Sequence, residues 1–284
     1  MFWCGWRLEL SLCFSSPGLG GLPPAGVHGL IDDFAASSPA CILKGMNGIL
    51  LIDKPSGWTS FDAVNKVRRI IQNSDLNETH KKRFPVGHTG TLDPLATGLL
   101  VLLLGKYTKI APQLTKLDKT YEVTMRLGQT STTGDEEGEK VPVSDAQPAE
   151  SQVRQTLEQF IGDQMQTPPI YSAIKINGQR AYKLARQGKA PELEARPVHI
   201  NSIVFMNYSY PDVTFTADVS SGTYIRSLVE DMGKQLKTGA YMSALRRTRV
   251  GEFSIEKAIV PADISLELIV EHAFEQTFEP AQEE

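Results

Sequence analysis

The chain has 284 residues with 41% hydrophobic and 22% charged side chains, a soluble globular composition large enough for one big domain or two small ones. Its net charge of −4 is unevenly spread: 263–284 holds seven acids and no Lys or Arg, and 1–45 is −1, which leaves +4 for 46–262. A mildly basic body is compatible with a polyanionic ligand. All three cysteines (Cys4, Cys13, Cys41) precede that body, so it carries no disulfide framework and no Cys-based metal site. No apolar run approaches the roughly 18 residues that span a bilayer, so no membrane partner is expected.

Residues 1–45 are rich in Gly, Pro, Ser, Cys and Trp without a sustained period. Glu9 interrupts the only apolar stretch suited to a signal peptide, and one Arg against three acids is unlike a mitochondrial presequence. The expectation is an N-terminal extension, disordered or a start-site artefact, with Met46 as the natural start. From Met46 the pattern becomes regular. NGILLIDKP (47–55) reads as a strand ended by Pro55, and Ser60 as the cap of a helix over 61–72 with Phe61, Val64, Val67 and Ile71 on one stripe. Lys66, Arg68 and Arg69 fall on its other face, and Lys81, Lys82 and Arg83 form a basic cluster.

GHTGTLDPLATGLLVLLLG (87–105) places one acid, Asp93, in a glycine-rich turn before a short apolar strand, Leu99–Leu104. Pro94 keeps Asp93 away from helical geometry. By itself an Asp-Pro turn is ordinary: the carboxylate accepts from nearby backbone N–H groups. A carboxylate on a stiff turn also suits a nucleophile or a base.

TYEVTMRLG (120–128) alternates, with Tyr121, Val123, Met125 and Leu127 on one face. An acidic turn-like loop (130–138), a linker (142–150) and a helix marked by Val153, Leu157, Phe160 and Ile161 follow. The stretch 167–197 is basic and carries Tyr171 and Tyr182. VTFTADV (213–219) alternates, SGTYIRS (221–227) turns into a helix with an Ile225, Leu228, Val229, Met232 and Leu236 stripe, and Tyr241–Arg249 reads as a short Arg-rich helix. Leu268, Ile269 and Ala273 give the acidic end an apolar side suited to docking one or two further turns. Strands and helices interleave without the regular spacing of a doubly wound fold, which points to a mixed α/β or α+β domain around one sizeable sheet.

Five scattered histidines without HxxxH or CxxC give poor support for a metal site. No GxGxxG, P-loop or GxSxG is present. Asp93 and Asp135 would serve a glycoside or nucleoside hydrolase if they faced each other.

Five separated blocks carry a more specific signal: GILLIDKPSGWTSFDAV, GHTGTLDPLATGLLVLLLGKYTK, DKTYEVTMRLGQTSTTGDEEG, QTPPIYSAIKINGQRAYKLARQG, and SGTYIRSLVEDMGKQL with ALRRTRVGEF. In this order, over 46–251, they resemble the TruB family of tRNA pseudouridine synthases. The resemblance implies a single α+β catalytic domain, 46–262, around a large mixed, mainly antiparallel sheet of the pseudouridine synthase type. It implies isomerisation of the T-loop uridine at position 55 of tRNA: the N1–C1′ bond breaks, the uracil turns, and C5 rejoins the ribose. No cofactor is needed for such an isomerisation, and the expected setting is a cytoplasmic monomer that binds the T-arm and elbow of tRNA.

Carried over residue by residue, Asp93 matches the catalytic aspartate, Tyr121 the tyrosine against the flipped base, and Arg226 the arginine paired with the aspartate. His88 matches the residue that enters the T-loop, Tyr224 lines the pocket, and Leu245 is an apolar wall of it. Lys54, with Arg246, Arg247 and Arg249, is a candidate for phosphate or structural contacts. The segment 164–196 resembles an RNA-gripping insertion. The acidic tail, 263–284, is too short for the PUA domain that bacterial members commonly carry. The leading alternative is a non-catalytic RNA-binding or tRNA-folding module. In geometric terms the expectation is that Asp93, Tyr121 and Arg226 converge in one cleft with His88 at its mouth.

Overall fold

The structure is a computed structural model that describes residues 46–74, 83–172 and 193–274, with scattered positions between 173 and 192. The expectation for residues 1–45 and the basic pair Lys81–Lys82 lie outside the described residues.

The order of elements is β1 (Gly48–Lys54), α1 (Ser60–Gln72), β2 (Val86–His88), β3 (Thr97–Leu104), a 3-10 turn Gly105–Ile110, α2 (Ala111–Thr115) and β4 (Lys119–Leu127). Then come the hairpin β5 (Gln129–Ser131) and β6 (Lys140–Pro142), α3 (Glu150–Gln159) and β7 (Gly162–Gln166). The short hairpin β8 (Lys175–Ile176) and β9 (Gln179–Arg180) precedes β10 (Arg196–Ser209) and β11 (Asp212–Val219). The end is α4 (Ile225–Gln235), β12 (Ala240–Val250), β13 (Phe253–Ser254) and α5 (Leu266–His272).

Nine strands form one sheet in the order β1-β3-β12-β4-β11-β10-β7, with β2 on β3 and β13 on β12. Every ladder is antiparallel except β3 with β12, so the sheet is mixed and mainly antiparallel, as the family resemblance implies. The alternation in β4 is literal: Tyr121, Val123, Met125 and Leu127 are buried, and with Phe215 of β11 and Leu228, Val229 and Met232 of α4 they build the core on one face. A second core lies under α1, where Val64, Val67 and Ile71 meet Leu50, Ile52, Leu100 and Leu102.

The stretch read as an Arg-rich helix, Tyr241–Arg249, is instead part of β12, in the middle of the sheet. Met, Ala, Leu and Arg favour a helix locally, but the segment fills the gap between β3 and β4, where only an extended chain satisfies both neighbours' backbone groups. Bulges between Met242 and Ala244 and between Arg247 and Arg249 break the two-residue alternation, which hides the strand from a periodicity reading.

Helix α1 also differs in detail. Thr59, not Ser60, is its cap, in a reciprocal capping box with Asp62. Phe61 is exposed and the Arg68 guanidinium lies over its ring, while Arg68 is otherwise buried and donates to Phe84 O and Val86 O. The acidic segment beyond residue 262 is packed as far as it is described: Ile269 and Ala273 of its last helix region are buried and Phe274 bridges Ile49 of β1.

The crossing of β3 with β12 fixes one glycine. Gly98 sits at φ +100°, and a Cβ there would lie 2.3 Å from the Arg247 carbonyl oxygen. The Arg247 atoms it would meet are main chain in the sheet centre, so they cannot swing aside. Gly98→Ala is expected to lower stability by about 3 kcal/mol or more, read from urea unfolding midpoints.

Candidate active site

The Asp93 turn leads from β2 into β3 and is braced from the β1–α1 connection. Ser60 Oγ donates to Leu92 O at 3.0 Å and accepts from Leu92 N at 2.8 Å, which uses the first helical residue as a clamp on the residue before Asp93. On the other side Pro94 O accepts from Gly57 N at 2.8 Å, and Ala96 N closes the turn onto Asp93 O at 3.1 Å. The main chain around the carboxylate is therefore held at both ends while its side chain stays 39% exposed.

Opposite it, α4 begins with Ile225, and Arg226 points back from its first turn. Its Nη2 lies 3.1 Å from Asp93 Oδ2, and the guanidinium is only 8% exposed. The same group donates to Thr133 O at 3.2 Å and to Tyr171 O at 2.9 Å, and its Nη1 stands 3.8 Å from Asp135 Oδ2. Asp135 is buried, 6% exposed, and its other oxygen accepts from Thr133 Oγ1 at 2.5 Å and from Glu137 N at 3.1 Å. Asp93 and Asp135 thus flank one guanidinium. Asp135, named in the sequence only as a possible partner carboxylate of Asp93, is joined to Asp93 through Arg226. Its signal was its position in TGDEEG beside Gly134, which has φ +76° and packs against Glu230.

Tyr121 emerges from β4 in the core cluster that also holds Leu92, Ala96 and Ile225, the neighbours of the ion pair on both sides, with Leu245 packed against it. Leu245 stands opposite Val123 and Tyr121 opposite Arg247 on the β4–β12 ladder. Tyr224 precedes α4. Burial pushes its phenol up from the usual tyrosine range and Asp93 adds to this, with Ser172, Arg226 and Arg196 working against it. Asp93, Arg226 and Tyr224 therefore belong to one site, and Tyr121 and Leu245 share a core cluster with Leu92, Ala96 and Ile225 beside it.

His88 ends β2 opposite Leu102, with Nδ1 accepting from Gly90 N at 3.3 Å. Burial, and then the nearby Arg247 charge, lower its pKa and favour the neutral ring.

The cations behind the loop make structural contacts, one of the two alternatives expected of them. Lys54 is fully buried, and its Nζ donates to Pro55 O, Trp58 O and Pro94 O at 2.9, 2.6 and 3.2 Å. Burial lowers its pKa to about 8, against the pull of Asp93. Arg247 is buried too and donates to Leu99 O and Gly90 O, while Arg246 pairs with Asp53 and Arg249 with Asp218. Lys54 and Arg247 are internal braces of the Asp93 loop, not contacts for a phosphate. Lys54→Met leaves two turn carbonyls without this donor and loosens Pro94; the expected cost is about 2–4 kcal/mol in urea unfolding.

A family model described as TruB family pseudouridylate synthase (N terminal domain) matches residues 78–225, and one described as tRNA pseudouridylate synthase B C-terminal domain matches 226–280. The tRNA pseudouridine synthase B of Burkholderia mallei (strain ATCC 23344) is 44% identical over 221 residues, covering 78% of this chain and 68% of that protein. That of Pseudomonas aeruginosa (strain UCBPP-PA14) is 44% identical over 218 residues, covering 77% and 68%. Among solved structures, a chain of a Cbf5-Nop10-Gar1 complex superposes with TM-score 0.60 at 28% identity, covering 82% of this chain and 56% of that one. A chain of an H/ACA RNP bound to a substrate RNA containing 2'-deoxyuridine gives 0.55 at 28%, covering 76% and 51%. The chain spans about half the length of these two solved chains.

Proposed function

The chain belongs to the TruB family of pseudouridylate synthases, and on that premise we propose that it isomerises uridine to pseudouridine in tRNA, at position 55 of the T-loop. The observation that carries this reading is the 3.1 Å pair between Arg226 and Asp93 on a turn braced at both ends. A guanidinium held by three further partners keeps the carboxylate aimed.

In the proposed reaction the target nucleotide leaves the stack and enters the cleft, as any base modified inside folded RNA must. Asp93 meets the ribose–uracil unit there, either attacking it or removing a ribose proton. Tyr121 offers its ring to the face of the uracil, worth about 1–3 kcal/mol for one stacked base, and its hydroxyl helps remove the C5 proton. Leu245 and Tyr224 wall the pocket, and His88 takes up space beside the extruded base. The net reaction balances without a co-reactant: N1–C1′ breaks, C5–C1′ forms, and the C5 proton is replaced by one on N1.

The proposal extends to a monomer acting in the cytoplasm on the T-arm and elbow, with 46–262 as the catalytic domain and 164–196 gripping the RNA. Incubation with unmodified tRNA, followed by mapping of pseudouridine at single-nucleotide resolution, tests it. One new pseudouridine in the T-loop is expected. Tight tRNA binding without any modification would favour a tRNA-folding module, and release of free uracil a hydrolase; either result overturns the proposal.

A further inference from the structure

The stretch 167–195 leaves the sheet at Gln166, the last residue of β7, and returns at Arg196, the first of β10; these two residues are a register pair and form its neck. Gln166 is buried, 4% exposed, so its amide needs partners inside the protein. It finds both on one residue: Oε1 accepts from Tyr224 N at 2.7 Å and Nε2 donates to Tyr224 O at 3.1 Å. Tyr224 is the residue before α4 and makes no side-chain cap of its own. The start of α4 is thus held by an amide supplied from the neck. Two more bonds lie along the same seam: Ser227 Oγ donates to Thr167 O at 2.8 Å, and Arg226 Nη2 to Tyr171 O at 2.9 Å. The seam therefore ends on the guanidinium that holds Asp93.

We propose that Gln166 is a positioning residue for the isomerisation: by clasping the main chain of Tyr224 it sets the Tyr224 ring and the Arg226 fork against Asp93, so the neck of the 167–195 stretch is a structural part of the active site. This rests on the isomerase reading above. Gln166 itself reaches the chemistry only through Tyr224 and Arg226. Both bonds run to main-chain atoms, so their loss moves backbone, and a displacement of about 1 Å at a reacting group costs on the order of 100-fold in rate.

The test compares wild type, Gln166→Leu and Gln166→Glu on unmodified tRNA, measuring single-turnover rate at saturation, the Kd for tRNA, and thermal unfolding. Leu keeps the volume and removes both hydrogen bonds; Glu keeps the acceptor for Tyr224 N–H and loses the donor. The expected order of rates is Gln, then Glu, then Leu, with Leu about 10–100-fold below wild type and Kd within about twofold. Ser227→Ala, which cuts the seam away from Tyr224, is expected to retain a near wild-type rate. A folded Gln166→Leu protein with the wild-type rate, a rate loss that only follows the unfolded fraction, or an effect confined to Kd would overturn the role of Gln166. If the Leu variant does not fold, the folded Glu variant decides by the same criteria. Wild type that forms no pseudouridine would sink the isomerase reading; active wild type with an unimpaired variant would sink only this inference.

Discussion

Asp93→Asn is expected to abolish pseudouridine formation, with a single-turnover rate on unmodified tRNA about 10⁴-fold or more below wild type and tRNA affinity nearly unchanged. The two side chains have the same shape, so the turn, fixed by Ser60, Gly57 and Ala96 through main-chain atoms of residues 92–94, has no reason to move. What disappears is the negative charge, on which attack at the ribose and removal of a ribose proton both depend. The Asp93 side chain is 39% exposed, so losing its pair with Arg226 costs only about 1 kcal/mol in stability. Thermal unfolding near the wild-type value alongside lost chemistry would separate a catalytic role from a structural one. A variant that keeps more than a few per cent of the wild-type rate would remove Asp93 from the reaction.

Substitution of Arg226 is expected to damage both chemistry and fold. Its guanidinium meets Asp93, Asp135, Thr133 O and Tyr171 O at once, in directions that a planar fork can serve and a single ammonium cannot. Arg226→Lys keeps the charge but not this geometry, and its single-turnover rate should fall about 100-fold while the protein stays folded. Arg226→Ala leaves the buried Asp135 without its counter-charge and two carbonyls without their donor, at a cost of about 3 kcal/mol, measured as a shift in urea midpoint. Equal stability of the Ala variant and wild type would mean that Asp135 is not held by Arg226.

The contrast between Asp93 and Asp135 shows how far residue patterns reach. Asp93 was legible because its turn chemistry is local: Gly90, Pro94 and the apolar run after it lie within a dozen residues. Asp135 was visible as an acid but its partner was not, because Arg226 is 91 positions away and is reached only when α4 packs on the sheet. Lys54 in DKPSG suits a phosphate or a structural contact equally, and only folding sets it under three carbonyls. Gln166 is one polar residue among several in GDQMQ, and nothing in its neighbourhood announces Tyr224 as its partner.

By itself the sequence determined what depends on neighbours along the chain: the alternation of β4 and β11, the apolar stripes of α1 and α4, the stiff Asp93 turn, and the ordered blocks that carry the family resemblance. The tertiary structure alone decided what depends on the sheet being assembled. It made Tyr241–Arg249 a strand, because the space between β3 and β4 needs backbone donors and acceptors on both sides, and this outweighs a helix preference of a few tenths of a kcal/mol per residue. It turned Lys54 and Arg247 inward, onto carbonyls of the Asp93 loop and of β3 that lie far from them in sequence. It also joined Asp93, Arg226 and Asp135 into one network, because charges this far apart in sequence come within a few ångströms only through packing of the core between them.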